Sequence, residues 1–283
     1  MDYELRKRRI LFSDNYQIED DENEERKDNE KIIKKIKPDD LLKSGKKTTI
    51  IVGAPGSGKT TLLKYLVHKT LQQQKEYFNI YLELKSIQRQ HFNDTDRFED
   101  IIFSEAIASP LGIDDKERKS IHKKLRDKLI DGKIAFFLDG LDEMRTIDND
   151  PHKISLRDLF NKFIEMDIIH NNLVIVTTRP YALKEVFERV QEMEIAPFNM
   201  EQIKQFINHY YSEDNPNSKN FLKDLSTRTE IQELARVPLI LGFLLQDYIE
   251  SRSFSENKLD LYKNIVTRLN NKLDEEVLSV ILR

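Results

Sequence analysis

Several features that would place this chain in a specialised class are missing from its sequence. None of its 283 residues is a cysteine, which excludes disulfides and thiolate metal sites and suits a reducing compartment. Basic residues do not outnumber acidic ones, and the formal net charge is −4, so the overall charge gives no clear nucleic-acid or membrane signal. The six histidines are scattered without metal-ligand spacing. The composition therefore favours no metal site made of protein ligands alone.

Long apolar runs are also missing. The longest, Val237–Leu245, is far short of the ~20 residues that cross a bilayer. The first residues, Met1–Arg9, are charged and lack the apolar core of a secretory signal. Hydrophobic residues make up 39% of the chain and charged residues 34%, which is enough for a core beneath a heavily charged surface. We therefore expect a soluble cytoplasmic protein.

The sequence does contain a complete phosphate-binding loop at residues 53–61. These residues read Gly-Ala-Pro-Gly-Ser-Gly-Lys-Thr-Thr and match the pattern G-x-x-x-x-G-K-[ST]. The apolar run Thr48–Val52 precedes the loop, and the helical pattern Thr60–Gln72 follows it. Because the pattern needs this order of strand, loop and helix, it predicts that the chain binds a nucleoside triphosphate.

The residues of the loop have separate predicted roles. The glycines let the backbone form a concavity lined by N–H groups, and the following helix directs its positive dipole end there. Lys59 is predicted to reach the β- and γ-phosphates, and the Thr60 hydroxyl to ligate Mg²⁺. The predicted nucleotide contacts in the loop are Gly53, Ala54, Pro55, Gly56, Ser57, Gly58, Lys59, Thr60 and Thr61.

Strand and helix patterns alternate from Thr48 onwards, which predicts a parallel sheet covered on both faces. Three strands are nearly continuous apolar runs, as expected where both faces are buried. The predicted strands are Thr48–Val52, Phe78–Leu84, Ile134–Leu138, Leu173–Thr177 and Glu192–Ala196. The predicted helices are Lys59–Gln73, Phe98–Ala108, Asp115–Ile130, Ser155–Ile169 and Ala182–Arg189.

After Pro197 the pattern is helical only, with Asn199 and Gln202 spaced for a helix N-terminal cap. The predicted helices there are Met200–Tyr211, Ser218–Leu225, Thr229–Arg236, Leu239–Ile249 and Asn257–Leu273. The predicted fold class is therefore α/β: a P-loop NTPase parallel sheet with flanking helices, followed by a small all-α helical domain. Residues 1–45 are predicted to be a charged N-terminal segment or linker, in which Arg9–Phe12 is either a strand or part of a helix.

Acidic residues follow the predicted strand Ile134–Leu138. Ligands bind at the carboxyl ends of parallel strands, so Asp139 is predicted to be the carboxylate on the Mg²⁺ side, acting through a water. Either Asp142 or Glu143, with Glu143 favoured, is predicted to orient or polarise the attacking water. Arg179, at the tip of the next strand, is predicted to contact the γ-phosphate; the alternative is an exposed loop arginine beside a turn-forming proline.

Together these motifs resemble the NACHT family of signal-transducing P-loop ATPases, in the STAND group related to AAA+ proteins. The specific mark is the run Asp139-Gly-Leu-Asp-Glu143, where a small residue follows the first acid and an acidic pair comes after it. Thr177–Pro180 is similar to the family's sensor strand. Leu234–Leu241 resembles the helical-domain motif whose proline, Pro238 here, packs against the adenine ring. The resemblance covers residues 46–270.

The resemblance also implies a domain order. Residues 46–197 are expected to form the nucleotide-binding domain and residues 198–255 the helical domain. Residues 256–283 are expected to begin a winged-helix-like region that is incomplete, because 261–266 are similar to its first residues in the family. We therefore expect the chain to stop before the winged-helix and sensor domains.

For function, the resemblance implies ATP or ADP with Mg²⁺ as cofactors and a nucleotide-gated switch. In such a switch ADP holds a closed monomer, and ATP drives homo-oligomerisation that engages a protein effector or sensor, in innate immune or antiphage defence. We expect a slow ATPase. One alternative is an AAA+-like ATPase that remodels or loads nucleic acid or protein. The other is a module that binds nucleotide only for stability, which the intact Lys59, Thr60, Asp139 and Glu143 argue against.

Overall fold

The structure is a computed structural model that describes residues 5–7, 35–43, 48–87, 96–144, 155–183, 187, 189–211, 215–254, 260, 263 and 267. These residues fall into two compact units. The sheet unit contains the described residues up to Ala54 and from Lys59 to Ala196. The helical unit contains Pro55–Gly58 and the described residues from Pro197 onwards.

The described strands of the sheet unit form one sheet. They are β1 (Leu5–Lys7), β2 (Lys35–Ile36), β3 (Thr48–Val52), β4 (Phe78–Glu83), β5 (Ile134–Asp139), β6 (Leu173–Thr178) and β7 (Gln191–Ile195), in the spatial order β2-β1-β7-β3-β6-β5-β4. β7, β3, β6, β5 and β4 run parallel. The α/β fold predicted from the sequence is therefore confirmed.

The first 45 residues contribute two strands that the sequence did not reveal. β1 pairs antiparallel with β7 on one side and with β2 on the other. Both strands are short, and antiparallel strands at a sheet edge need no continuous apolar run. The predicted element Arg9–Phe12 lies outside the described residues.

The three strands β3, β5 and β6 are buried on both faces, which explains their apolar runs. All residues of β3, β5 and β6 are buried. Successive side chains point to opposite faces, so Phe136 joins one apolar cluster and Phe137 the other. The Phe136 face also packs against Phe160 of α6 (Leu156–Glu165), and the Phe137 face against Leu62 of α2 (Lys59–Gln73).

The other described helices of the sheet unit are α1 (Pro38–Leu41), α3 (Phe98–Phe103), α4 (Ser109–Leu111) and α5 (Asp115–Ile130), with a π-helical stretch, Ser104–Ala108, after α3. Two helix predictions need correction. The helix predicted for Ser155–Ile169 ends at Glu165. The helix predicted for Ala182–Arg189 is wrong at Leu183, Phe187 and Arg189, which are not helical, while Ala182 is the last residue of a 3₁₀ turn, Pro180–Ala182. Phe187, one of the apolar residues within the predicted helix, is instead buried in the sheet core.

The helical unit contains α7 (Met200–Tyr211), α8 (Pro216–Ser226), α9 (Thr229–Ala235) and α10 (Pro238–Ser251) around its own apolar core. The predicted cap of α7 is confirmed. The N–H of Gln202 donates to Asn199 Oδ1, and the N–H of Asn199 donates to Gln202 Oε1, both at 2.9 Å. Among the described residues, no helix combines the length and apolarity that a membrane span requires.

Candidate nucleotide site

The carboxyl ends of β3 and β6 meet at the start of the phosphate loop. The N–H of Gly53 donates to the carbonyl of Thr178 at 3.1 Å, which ties the start of the loop to the end of β6. Lys59, the first residue of α2, donates from Nζ to the carbonyl oxygens of Gly53 (2.8 Å) and Ala54 (3.1 Å). The lysine side chain thus folds back over the phosphate loop, where it was predicted to contact the β- and γ-phosphates.

The charged groups predicted for the site surround this lysine. Burial lowers the pKa of Lys59, and the nearby charge of Arg179 lowers it further. The carboxylates of Asp142, Asp139 and Glu143 act in the opposite direction. The structure therefore brings together the lysine, the arginine and the three acids that the sequence singled out separately.

The middle of the loop, Pro55–Gly58, has the backbone geometry of a phosphate cradle. Gly56 and Gly58 adopt left-handed backbone angles, with φ of 73° and 92°. The hydroxyl oxygen of Ser57 is buried and has no hydrogen-bond partner within the described part of the chain. A buried hydroxyl without a partner is costly, and a phosphate oxygen would accept its hydrogen bond. Pro55 is exposed, as are the neighbouring Ala54 and, in the first turn of α2, Thr61.

Thr60 and Asp139 lie in contact at the predicted Mg²⁺ position. The hydroxyl of Thr60 donates to Asp139 Oδ2 at 2.7 Å, and the hydroxyl of Thr177 donates to Asp139 Oδ1. The described residues contain no cluster of three or more histidine or acidic side chains that could hold a metal alone. Mg²⁺ fits this arrangement, because it is usually bound by one or two protein oxygens together with phosphates and waters.

Asp142 and Glu143 occupy different environments although they are adjacent in sequence. The side chain of Asp142 is 3% exposed, and Oδ2 lies 3.0 Å from Nε of Arg179. Its other oxygen, Oδ1, accepts the backbone N–H of Arg179 at 3.0 Å. Glu143 is 44% exposed and lies 3.8 Å from Nη2 of Arg179. Asp142 is therefore committed to the arginine, whereas Glu143 remains accessible to water.

Gly140 explains how this separation arises. Its φ of 77° turns the chain sharply after β5. Its N–H donates to the Thr177 hydroxyl at 2.9 Å, and a short 3₁₀ turn, Leu141–Glu143, follows. Leu141 is buried in the core by this turn. A glycine after Asp139 therefore lets the second and third acids reach the end of β6.

The sequence analysis assigned no individual role to two neighbours of the candidate site, Thr177 and Tyr81. The hydroxyl of Thr177 donates to Asp139, and the hydroxyl of Tyr81 in β4 donates to Glu83 at 3.4 Å. Burial raises the pKa of the Tyr81 phenol, and the charges of Asp139 and Glu83 raise it further. In the sequence, these two residues stand out only by their positions near the carboxyl ends of strands. Such a position identifies a residue as a neighbour of the site only once the strand order is known.

In the helical unit, Pro238 is the first residue of α10. The next residue, Leu239, donates its N–H to the carbonyl of Gly56 at 3.2 Å. A Cβ added to Gly56 would lie 2.8 Å from the Cβ of Leu239. Close approach to α10 therefore adds a second requirement for glycine at position 56. The contact of Pro238 with adenine stays a prediction.

Comparison with known families gives an independent result. A family model of the NACHT domain matches residues 47–214, which is more than half of the chain. A comparison with curated proteins found no match. The matched segment contains the phosphate loop, Asp139 with its two following acids, and Arg179. The chain therefore belongs to the NACHT family of nucleotide-binding P-loop NTPases.

Proposed function

We propose that this protein is an ATP-binding signalling NTPase that acts as a nucleotide-gated oligomerisation switch in innate immune or antiphage defence. The observation that carries the proposal is the pairing of Arg179 with the buried Asp142, beside Lys59 and Asp139. Through this pairing a cation lies at the tip of β6, and a γ-phosphate can compete with Asp142 for that cation.

Three of the predicted ligand groups have protein partners that a nucleotide could replace. Lys59 bonds the loop carbonyls, Thr60 bonds Asp139, and Arg179 bonds Asp142. Phosphate oxygens accept charge-assisted hydrogen bonds from lysine and arginine, so a triphosphate would exchange one set of bonds for another. Bound Mg²⁺ would neutralise phosphate charge, and Thr60 and Asp139 are the residues that would hold it.

The gate follows from the difference between the two nucleotides. A diphosphate offers no γ-phosphate, so it leaves Arg179 with Asp142. A triphosphate draws Arg179 and Lys59 towards the added charge, and its binding energy then favours a second conformation. Changing a population from 1:99 to 99:1 requires about 5.5 kcal/mol of differential binding, which a cluster of charge-assisted bonds around one phosphate can supply.

Glu143 is the better candidate for orienting water in a slow ATPase reaction. Oδ1 of Asp142 accepts the backbone N–H of Arg179, Oδ2 forms an ion pair with its Nε, and the Asp142 side chain is almost fully buried. Glu143 is exposed and borders the same arginine. A general base must reach the proton that it removes, directly or through one water, and of these two acids Glu143 is the one that combines this access with proximity to the site.

The test is to denature the purified protein and identify any released nucleotide by ion-pair chromatography. Stoichiometric ADP supports a slowly exchanging switch, and Lys59→Ala purified in parallel should release none. A protein that contains no nucleotide and exchanges fluorescent ADP within seconds would instead favour the cycling, AAA+-like ATPase. The homo-oligomer of the ATP state and the protein effector or sensor remain part of the proposal.

A further inference from the structure

The end of β6 carries a buried threonine on the face of the sheet where Asp139 lies. Thr177 is fully buried, and side chains two residues apart in a strand point to the same face. Ile175 of β6 and Phe137 of β5 both belong to the apolar cluster that packs against α2. Thr177 and Asp139, each two residues further along its strand, therefore lie on the face of the sheet that α2 covers.

The Thr177 hydroxyl bonds two groups with opposite requirements. It donates to Asp139 Oδ1, and it accepts the backbone N–H of Gly140 at 2.9 Å. A hydroxyl has one proton to donate and two lone pairs that can accept. The N–H of Gly140 takes a lone pair, and the carboxylate of Asp139 takes the proton. Both capacities of the hydroxyl are thus used at the start of the turn that follows β5.

The two oxygens of Asp139 consequently have different surroundings. Oδ1 accepts from Thr177, which is buried within the sheet, whereas Oδ2 accepts from the Thr60 hydroxyl at 2.7 Å. Thr60 is exposed and is the residue predicted to ligate Mg²⁺. Oδ2 is therefore the oxygen on the side of the metal position, and Oδ1 is the oxygen that the protein interior holds.

We propose that Thr177 is a positioning residue for the Mg²⁺ site: its hydroxyl holds Oδ1 and thereby directs Oδ2 of Asp139 towards the metal position beside Thr60. This inference rests on the proposed nucleotide function. Carboxylates that serve a metal are oriented by hydrogen bonds from outer residues, and loss of such a partner costs about 10- to 100-fold in metal affinity or activity. Without the Thr177 hydroxyl, the carboxylate of Asp139 loses the bond that fixes its inner oxygen.

The experiment is a Mg²⁺ titration of fluorescent ATP-analogue binding, followed by anisotropy, in the wild type, Thr177→Val and Thr177→Ser. Valine keeps the shape of threonine but removes the hydroxyl. The Mg²⁺ concentration at half-saturation should therefore rise about tenfold or more in Thr177→Val, while nucleotide affinity in EDTA stays unchanged. Serine retains the hydroxyl, so Thr177→Ser should keep the Mg²⁺ dependence of the wild type.

The matched control is Thr70→Val in α2. Thr70 is as fully buried as Thr177, and its hydroxyl also donates one hydrogen bond, to the carbonyl of Leu66 at 2.9 Å. It lies about 15 Å from Thr60 along the helix axis. Thr70→Val should therefore lose stability, as the removal of a buried hydrogen bond requires, but keep the Mg²⁺ dependence of the wild type.

Thermal melting of each variant accompanies the titration. If Thr177→Val does not melt cooperatively, Thr177→Ala replaces it with the same expected rise; failure of both to fold would assign Thr177 to the stability of the sheet and overturn the inference. Unchanged Mg²⁺ dependence in the folded variant, or a comparable rise in Thr177→Ser or Thr70→Val, also overturns it and leaves the proposed function intact. Absence of nucleotide binding by the wild type itself would overturn the proposed function, and the inference with it.

Discussion

Arg179 binds Asp142 twice, through its backbone N–H and through Nε, and each contact is 3.0 Å long. The two bonds use both oxygens of a carboxylate whose side chain is 3% exposed. The arginine side chain itself is 35% exposed, so its charge is accessible to a ligand while Asp142 holds the residue in position. This arrangement explains why the motif contains a second acid: it holds the residue predicted to detect the γ-phosphate.

The first prediction concerns Asp142→Asn. The amide oxygen can still accept the backbone N–H of Arg179, but the ion pair is lost. The side chain of Arg179 is then released more easily to a γ-phosphate, so the preference for ATP over ADP should increase. After allowance for the exposure of Arg179, we expect an effect of about 1 kcal/mol.

Calorimetric titration of this variant with ADP and with a slowly hydrolysed ATP analogue measures the preference. The control is Asp131→Asn, which removes an exposed acid that pairs with Lys133 on the surface. A preference for the triphosphate that is unchanged or reduced in Asp142→Asn would show that the Asp142 contact does not restrain Arg179.

Lys59→Ala should abolish detectable triphosphate binding. The half-buried side chain donates two hydrogen bonds to carbonyl oxygens of the loop, and the same ammonium group is predicted to bond the phosphates. Hydrogen bonds to charged groups contribute about 1.5–3 kcal/mol each. Equilibrium binding of a fluorescent ATP analogue measures the effect. Lys69→Ala, later on the same helix, should bind normally. Wild-type affinity in Lys59→Ala would refute the phosphate-loop assignment.

Gly56→Ala should destabilise the protein more than Gly112→Ala does. Both glycines have positive φ, of 73° and 60°, so alanine introduces backbone strain of about 1–2 kcal/mol at each position. At Gly56 the new Cβ would also lie 2.8 Å from the Cβ of Leu239, whereas no atom lies within 4 Å at Gly112. Urea denaturation measures the free energy of unfolding of the two variants. The difference between them separates the steric contact with Leu239 from the backbone strain that both variants share. Equal losses would mean that the contact with Leu239 adds nothing.

Stability should fall as the pH drops below the usual histidine pKa of 6.5, partly because of His122. Burial lowers the pKa of His122, and the cations Arg126 and Arg118 lower it further, although Asp100 opposes them. As the pH falls, His122 therefore takes up a proton at a higher pH in the unfolded state than in the folded state. The loss of stability begins at the pKa of His122 in the unfolded state and ends at its pKa in the folded state.

His122→Gln should show a smaller loss over this range in urea denaturation midpoints measured above and below pH 6.5. His68→Gln, which removes an exposed histidine, is measured alongside it as the comparison variant. If the denaturation midpoint depends on pH in the same way in His122→Gln and in the wild type, His122 does not contribute to the loss of stability at low pH.

The sequence predicted the central sheet well because β3, β5 and β6 are buried on both faces and must be apolar throughout. It did not reveal β1, which is short and lies towards the sheet edge. The helix predicted at Ala182–Arg189 is wrong at Leu183, Phe187 and Arg189, because apolar spacing alone cannot distinguish a helical residue from a buried residue that is not helical, such as Phe187.

The candidate site shows a similar limit. The motifs identify Lys59 and Asp139, since their chemistry follows from residue type and spacing. They place Asp142 and Glu143 side by side, and only the turn at Gly140 shows that one is buried and the other exposed. Tyr81 has no motif, because its proximity to Asp139 depends on the register of two strands that are distant in sequence.

Glu143→Gln gives the most direct test of the switch. The amide cannot act as a base, so ATP turnover should fall by about 10²- to 10⁴-fold while binding is retained. Normal hydrolysis by Glu143→Gln together with loss of hydrolysis in Asp142→Asn would assign the water-orienting role to Asp142 instead.

With hydrolysis blocked, the assembly state of Glu143→Gln can be measured by mass photometry in ATP with Mg²⁺ and in ADP with Mg²⁺. The account predicts an oligomer in ATP and a monomer in ADP, with Glu143→Gln/Lys59→Ala monomeric in both. The same mass distribution in both nucleotides, with binding of each confirmed, would contradict a nucleotide-gated oligomerisation switch.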